Sequence, residues 1–131
     1  MIFLDANVPM YLAGGEHPNR TGAEIWVARL ARAGERLVTS AEVLQEIVHR
    51  YAAIHQRERI AAVLAQTLRL VDDVLPISSI EVLRAAEIVG TAARFSARDA
   101  LHVATMERHG IERIFTFDRA FSLWPGLSVI N

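Results

Sequence analysis

Two aspartates each follow a short apolar run that has the composition of a buried strand. Asp5 comes after MIFL at the start of the chain, and Asp118 comes after RIFTF near its end. In parallel α/β sheets the functional crevice lies beyond the carboxyl ends of the strands. If these two strands are neighbours in one sheet, the two carboxylates therefore converge.

A helix that follows the second strand could add a third carboxylate to the same edge. Glu42 and Glu46 lie one turn apart on the predicted helix Thr39–His55. The stretch Thr39-Ser-Ala-Glu42 has the spacing of a capping box, which would give Glu42 a structural role at the helix start. Glu46 lies a turn deeper among apolar residues, so it is the better candidate for chemistry.

Asp99 is a fourth candidate, at the start of the predicted helix Ser96–His109. Ser96-Ala-Arg-Asp99 again has capping-box spacing, so Asp99 could simply stabilise the helix terminus. The first turn of a helix also favours an anionic group that points outward. Because a carboxylate has two oxygens, capping and metal binding do not exclude each other.

Converging carboxylates repel one another, which raises the pKa of at least one of them unless a cation compensates. The chain has no cysteine and no dedicated set of histidines, so the ligands would be oxygens, which favour Mg²⁺ or Mn²⁺. Such an ion can activate a water molecule and neutralise phosphate oxygens. The absence of cysteine also excludes disulfides, thiolate catalysis and Cys-ligated zinc.

Length and composition predict one globular domain that spans residues 1–131. Hydrophobic residues make up 52% of the chain and charged residues 22%, which excludes a disordered chain. The formal net charge is −1, so a polyanion would have to be bound by a local patch. All 14 basic residues are arginine. No apolar run is long enough to span a membrane, no signal peptide is recognisable, and we expect a cytoplasmic protein.

Strand-like and helix-like segments alternate along the chain, which predicts an α/β fold with a mainly parallel sheet. The predicted strands are Met1–Leu4, Arg36–Thr39, the edge strand Asp73–Ile77, Arg113–Phe117 and Leu127–Asn131. The predicted helices are Val8–Leu12 with Asn7 as its cap, Ala23–Ala33, Thr39–His55, Arg57–Leu70, Ser79–Gly90, Ser96–His109 and a brief turn at Arg119–Leu123. Gly14–Gly22 is predicted to be a loop.

The order and spacing of these motifs resemble those of PIN domains, and especially the small VapC-like ribonuclease toxins of toxin–antitoxin pairs. The resemblance covers essentially the whole chain and implies an α/β/α sandwich around a parallel central sheet. It rests on Asp5 after the first strand, Ser40-Ala-x-x-Leu44-x-Glu46, Ser96-x-x-Asp99-Ala-Leu and Thr116-x-Asp118-x-x-Phe121.

The resemblance implies an endoribonuclease that uses Mg²⁺ or Mn²⁺ to hydrolyse RNA, leaving 5′-phosphate and 3′-hydroxyl ends. Thr116 would position a ligand or a water molecule, and Asn7 matches a polar position that often follows the first acid. Ala120 stands where many members carry a further acid, so the likeness does not extend to a fifth carboxylate. The implied acidic quartet is Asp5, Glu46, Asp99 and Asp118.

The same resemblance implies three partners: an RNA substrate, a second copy of the chain, and a small VapB-like antitoxin whose tail could offer an arginine to the carboxylates. Arg50, Arg98 and Arg119 lie near the acids in sequence and could hold phosphates, or could be ordinary solvated side chains. The helices Ala23–Ala33 and Arg57–Leu70 are apolar over much of their faces, which indicates either core or a partner surface.

Three alternatives differ in what they require. The pairs Glu46-Ile-Val-His49 and Asp99-Ala-Leu-His102 have the spacing of a di-iron helical bundle, but Asp5 and Asp118 end strands rather than lie on helices. We therefore expect both histidines to pack or hydrogen-bond within the sandwich. A phosphohydrolase with a nucleophilic Asp5 would want a second acid where Asn7 stands. A non-catalytic PIN-like binding module would not need a complete quartet.

Overall fold

A five-stranded sheet forms the centre of the molecule, and each pair of neighbouring strands is parallel. The computed structural model describes all residues, 1–131. The strand order is β3-β2-β1-β4-β5, so the first strand lies in the middle. The strands are β1 (Ile2–Leu4), β2 (Leu37–Ser40), β3 (Asp73–Leu75), β4 (Arg113–Phe115) and β5 (Ser128–Ile130).

Six α-helices cover the two faces of this sheet. They are α1 (Asn7–Ala13), α2 (Pro18–Arg32), α3 (Ala41–Ala53), α4 (Ile60–Leu70), α5 (Ser79–Thr91) and α6 (Ala97–Arg108), with short 3₁₀ turns at Arg57–Arg59 and Arg119–Leu123. None of the helices has the length and apolar character that crossing a membrane would require.

The core is divided between the two faces because successive strand residues point in opposite directions. In β1, Ile2 and Leu4 pack with residues of α2, whereas Phe3 packs with residues of α3, α5 and α6. A strand that is buried on both faces needs a continuous apolar run rather than alternation. Burial on both faces thus explains the continuous apolar runs from which the strands were predicted. The predicted α/β sandwich with a parallel sheet is confirmed.

The pairing of β1 with β4 brings the two ends of the chain together. Phe3 is opposite Ile114 and Leu4 is opposite Phe115, and the amide of Asp5 donates to the Phe115 carbonyl at 3.1 Å. Both strands end at the same edge of the sheet. The side chains that follow them therefore face one crevice.

Several predicted boundaries are wrong by one or more residues. The predicted loop Gly14–Gly22 ends early, because α2 begins at Pro18, and the His17 ring accepts a hydrogen bond from the amide of Asn19. Proline is favoured at the first helical position because its φ is already helical. The fourth strand ends at Phe115, two residues before the predicted end.

Two predicted helix caps are also wrong. Ser40, not Thr39, caps α3 by accepting from the amide of Val43, because the Thr39 hydroxyl donates to the Leu4 carbonyl on β1 instead. Asn7 is a residue of α1 and does not cap it, since its side chain is bound across the sheet edge.

A capping box at the start of α5 joins that helix to the end of α6. Glu81 accepts from the amide and the hydroxyl of Ser78 at 2.7 and 2.6 Å, and from Arg108 at 2.8 Å. The Glu81 residue is only 2% exposed. The Ser78 hydroxyl, followed by its backbone amide and Arg108, lowers the pKa of Glu81 to about 2 against the opposing effect of burial.

We expect Glu81→Gln to lower the free energy of unfolding by about 1–2 kcal/mol at pH 7, since it removes the capping and charge-assisted bonds. Because the pKa of Glu81 is lower in the folded state, this stabilisation is present above about pH 4.5 and is lost as the pH falls towards 2. Urea unfolding of both proteins between pH 7 and pH 3 measures the difference in their free energies of unfolding, which should become smaller as the pH falls. Glu87→Gln, which removes an exposed ion pair with Arg84 on the same helix, is the control and should change stability by less than about 0.5 kcal/mol. A difference that stays constant with pH would contradict the prediction.

Candidate active site

Asp5 is the most deeply placed acid at this sheet edge, with 6% of its surface exposed. Its Oδ1 accepts from the amide of Ala6 at 2.7 Å, and its Oδ2 accepts from the Thr116 hydroxyl at 2.6 Å. The Asn7 side-chain amide also reaches Oδ2, at 3.3 Å. These donors fix the carboxylate in one orientation at the end of β1.

Thr116 and Asn7 connect the ends of β1 and β4. The Thr116 hydroxyl donates to Asp5 and accepts from the Asn7 side chain at 3.1 Å and from the amide of Asp118 at 3.0 Å. The side-chain oxygen Oδ1 of Asn7 accepts from the backbone amide of Phe117 at 3.2 Å. The one donor and both acceptor positions of the Thr116 hydroxyl are thus in use. Through these bonds Thr116 links the predicted acid Asp5 to the backbone of the predicted acid Asp118.

Asp118 lies three residues beyond β4 and is half-buried. Its Oδ1 accepts from the amide of Ala120 at 2.9 Å and so caps the 3₁₀ turn Arg119–Leu123. Its Oδ2 makes no hydrogen bond within the protein. One oxygen of this carboxylate is therefore structural, and the other is available for a ligand.

Glu46 reaches the same place from α3, and the imidazole of His102 reaches it from α6. The His102 Nε2 lies 3.7 Å from Asp5 Oδ1 and 3.9 Å from Glu46 Oε2. One donor atom from each of these three residues lies within 4.8 Å of the others. Asp5 and Glu46, which lie 41 positions apart in the sequence, are thus close together in the structure.

Asp99 lies in the first turn of α6, where Ser96 caps the helix by accepting from the amide of Asp99 at 3.1 Å. Ser96 and Asp99 thus occupy the cap and the third position of the helix, as their spacing in the sequence predicted. Burial raises the pKa of the Asp99 carboxyl, and the negative charges of Asp118 and Asp5 raise it further. The charges of Asp118 and Asp5 thus act on Asp99, but the donor atoms that converge within 4.8 Å of one another belong to Asp5, Glu46 and His102.

The pKa values of this cluster show how costly it is to bring these charges together. Burial is the main reason that the pKa of Asp5 is raised, and the charge of Glu46 adds to it, while His102 and Thr116 act in the opposite direction. Burial lowers the pKa of His102, but the neighbouring carboxylates of Glu46 and Asp5 raise it by more. A bound cation would relieve the repulsion among the acids.

Arg98 is turned towards the acids rather than outward. Its guanidinium lies 3.3 Å from Glu46 and 3.5 Å from Glu42. Glu42 therefore pairs with an arginine and has no part in the capping box that the sequence predicted. Arg98 now neutralises part of the acidic charge at the rim.

A cleft of about 250 Å³ adjoins the acids at Asn7 and is lined by Met10, Tyr11 and Arg50 as well. Arg50 is exposed at the side of this cleft, and Arg119 is exposed beyond Asp118. The cleft combines an aromatic ring, an apolar side chain and a cation, and its Asn7 donates a hydrogen bond to Asp5. These are the groups that bind a base and a phosphate of a single-stranded nucleic acid.

His102 is the residue of this site that the sequence analysis did not assign to it. It packs in the sandwich, as expected, but makes no hydrogen bond, and His49 is exposed on α3 rather than packed. The available signal was its spacing, since Asp99 and His102 lie three residues apart on one helix face. The di-iron interpretation used that spacing but required acids on two further helices.

The model of the PIN domain family matches residues 2–125 of the chain. The chain belongs to the PIN domain family. Among curated PIN-domain relatives, ribonuclease VapC13 of Mycobacterium tuberculosis is 46% identical over 127 residues, which cover 97% of each chain. The predicted family membership is thereby confirmed.

Solved structures of similar chains have the same fold as this PIN domain. The crystal structure of Mycobacterium tuberculosis VapC20, described as a toxin that cleaves the sarcin–ricin loop, aligns with a TM-score of 0.76 at 25% identity over 93% of each chain. VapBC2 of Rickettsia felis, solved with a DNA fragment from its promoter, aligns with a TM-score of 0.76 at 17% identity over 100% of this chain and 98% of that one. The second likeness concerns the fold alone.

Proposed function

We propose that this PIN domain is a metal-dependent endoribonuclease, and that it acts as the toxin of a toxin–antitoxin pair by cutting RNA that translation needs. The observation that supports the proposal is the approach of Asp5 and Glu46 at the carboxyl edge of the sheet, with the charges of Asp118 and Asp5 acting on Asp99. The 46% identity to a ribonuclease over nearly the whole chain supports the reaction class.

The donor set fits a hard divalent cation, Mg²⁺ or Mn²⁺. The pocket offers carboxylate oxygens, one of them Oδ2 of Asp118, and it has no thiolate. When bound, such an ion lowers the pKa of a water molecule and stabilises negative charge on the phosphate that is attacked. Asp5 and Glu46 would hold it, and Asp99 and Asp118 are the other two carboxylates that we propose as ligands.

The other residues of the site position these ligands. Thr116 and Asn7 fix the Asp5 carboxylate through three hydrogen bonds to its oxygens or to each other, so that Asp5 needs no reorganisation on binding. The Asn7–Arg50 cleft would receive the nucleotide beside the scissile phosphate, with Tyr11 against the base and Arg50 near a flanking phosphate. The products would carry 5′-phosphate and 3′-hydroxyl ends.

Expression in a bacterial host tests this function. We expect induction of the wild-type chain to arrest growth within a few generations, with new RNA 5′ ends that carry a phosphate and accumulate at a few positions. Glu46→Gln should abolish both effects while the protein accumulates to the same level. Arg69→Gln, a change of an exposed arginine in the last turn of α4, should leave both unchanged. Growth arrest by Glu46→Gln as strong as that by the wild type would instead indicate a non-catalytic binding module.

The partners of this toxin would be an antitoxin and a second copy of the chain. A VapB-like antitoxin could present an arginine to the acidic pocket, in the position where Arg98 now pairs with Glu46. The second copy would cover the exposed apolar side chains, which are concentrated on α5 rather than on the two helices that the sequence favoured. These side chains are Ile80, Val82, Leu83 and Val89.

We expect Leu83→Glu to weaken a homodimer by at least about tenfold, because it places a charge within the apolar surface of α5 that would be buried. Leu83 is 67% exposed in the single chain. Sedimentation equilibrium of the purified protein measures the change. Leu68→Glu is the matched control, since Leu68 is 49% exposed on α4. Dissociation by the α4 change and not by the α5 change would place the interface on the helix that the sequence suggested.

A further inference from the structure

His102 is buried in an unusual way for a histidine. Its residue is 1% exposed, and neither ring nitrogen has a hydrogen-bond partner in the protein. The ring packs against Phe3 and Phe121, with centroid separations of 5.4 and 6.4 Å. An unpaired polar group in such surroundings costs folding free energy, so a partner that is not part of the chain is expected at one nitrogen.

Nε2 is the nitrogen that faces the acids. Its distances of 3.7 Å to Asp5 Oδ1 and 3.9 Å to Glu46 Oε2 are too long for hydrogen bonds. Two donor atoms that bind one divalent cation at about 2.1 Å each are separated by roughly 3–4 Å. The observed separations therefore suit a shared ion better than direct bonds between the three side chains.

We propose that His102 Nε2 is a ligand of the cation that Asp5 and Glu46 hold, which makes this an oxygen–nitrogen site that selects Mn²⁺ over Mg²⁺. The inference rests on the proposed function. Imidazole is a good ligand for first-row transition metals, whereas Mg²⁺ prefers oxygen and keeps several of its waters. The rigid packing of the ring between two phenylalanines would hold Nε2 in place for the ion.

Pulsed electron paramagnetic resonance of the whole protein loaded with one equivalent of Mn²⁺ tests this assignment. Directly bound imidazole couples the ¹⁴N nucleus to the Mn²⁺ electron spin, and we expect that coupling in the wild type. His102→Gln should remove the coupling, whereas His49→Gln, a change of an exposed histidine on α3, should preserve it. In calorimetric titrations without RNA, the preference for Mn²⁺ over Mg²⁺ should fall by about tenfold in His102→Gln.

The wild-type spectrum decides the outcome even if the His102 variant does not fold. Bound Mn²⁺ without ¹⁴N coupling, in a protein that still cuts RNA, would overturn this inference alone and would leave His102 as a charged partner of Asp5 and Glu46. A protein that neither binds Mn²⁺ nor cuts RNA would overturn the proposed function together with it. Coupling that persists in His102→Gln would assign the signal to another histidine and would also overturn the inference.

Discussion

Asp99→Asn lowers the rate of RNA cleavage by at least about 1,000-fold and leaves the protein folded, if the acidic pocket holds the catalytic cation. The change removes a charged ligand but keeps the shape of the side chain. It also keeps the helix cap, because the Ser96 hydroxyl accepts from the backbone amide of Asp99, which the substitution leaves in place. Initial rates on a fixed RNA at saturating Mg²⁺ or Mn²⁺ measure the effect.

The same variant should be at least as stable as the wild type without metal. Burial and the charges of Asp118 and Asp5 raise the pKa of Asp99, so its ionised form opposes folding at neutral pH. Asp73→Asn, at the start of β3 and so at the far edge of the sheet, is the control that should keep full activity. Equal cleavage by Asp99→Asn and the wild type would remove this residue from the mechanism.

Divalent cations should raise the melting temperature of the wild type by about 10 °C at a concentration one hundred times the dissociation constant. Binding to the folded state alone contributes about 2.7 kcal/mol under those conditions, and a domain of this size gains roughly 3–4 °C per kcal/mol. Thermal unfolding followed by circular dichroism, with and without chelator, measures the shift. NaCl at matched ionic strength should produce almost none of it.

The rise in melting temperature that the cation produces should become smaller as the pH falls. The pKa values of Asp5 and Asp99 are both raised, so protons compete with the cation at acidic pH. As the pH falls through those raised values, the carboxylates are neutralised and the stabilisation by metal decreases, while the metal-free protein loses less stability to repulsion. A shift that is equally large in Asp99→Asn would place the cation elsewhere on the molecule.

The parts of the site that the sequence predicted are those that follow from strand order. Asp5 and Asp118 end apolar runs, and the parallel α/β pattern assigns both to the carboxyl edge of a sheet. Glu46 was separated from Glu42 by its position within the apolar face of a helix. These inferences need only local periodicity and the general geometry of parallel sheets.

The parts that the sequence did not predict depend on contacts between distant residues. Asparagine is a common helix cap, but the side-chain amide of Asn7 donates to the hydroxyl of Thr116, which is 109 positions away. The side chain makes this contact instead of capping the helix. Thr39 and Ser40 are equally suitable caps from local sequence. The choice between them is made by the Leu4 carbonyl on β1, which accepts the Thr39 hydroxyl.

The role of His102 could not be read from its neighbours in sequence for a similar reason. A histidine in an apolar helix face is most often a core residue, and His102 does pack against two phenylalanines. The acids that face its Nε2 are Asp5, which follows β1, and Glu46, which lies on α3. The role of His102 therefore depends on residues from three separate parts of the chain.

Cleavage of RNA by the purified protein, with the divalent cation removed and then restored, tests the central claim most directly. We expect the wild type to cut RNA in Mg²⁺ or Mn²⁺, to stop when excess chelator is added, and to resume when the cation is returned. Products with 5′-phosphate ends should appear only in the first and third conditions. Undiminished cleavage in chelator, or intact RNA with both cations present, would contradict the proposal that the four carboxylates form a metal-dependent nuclease site.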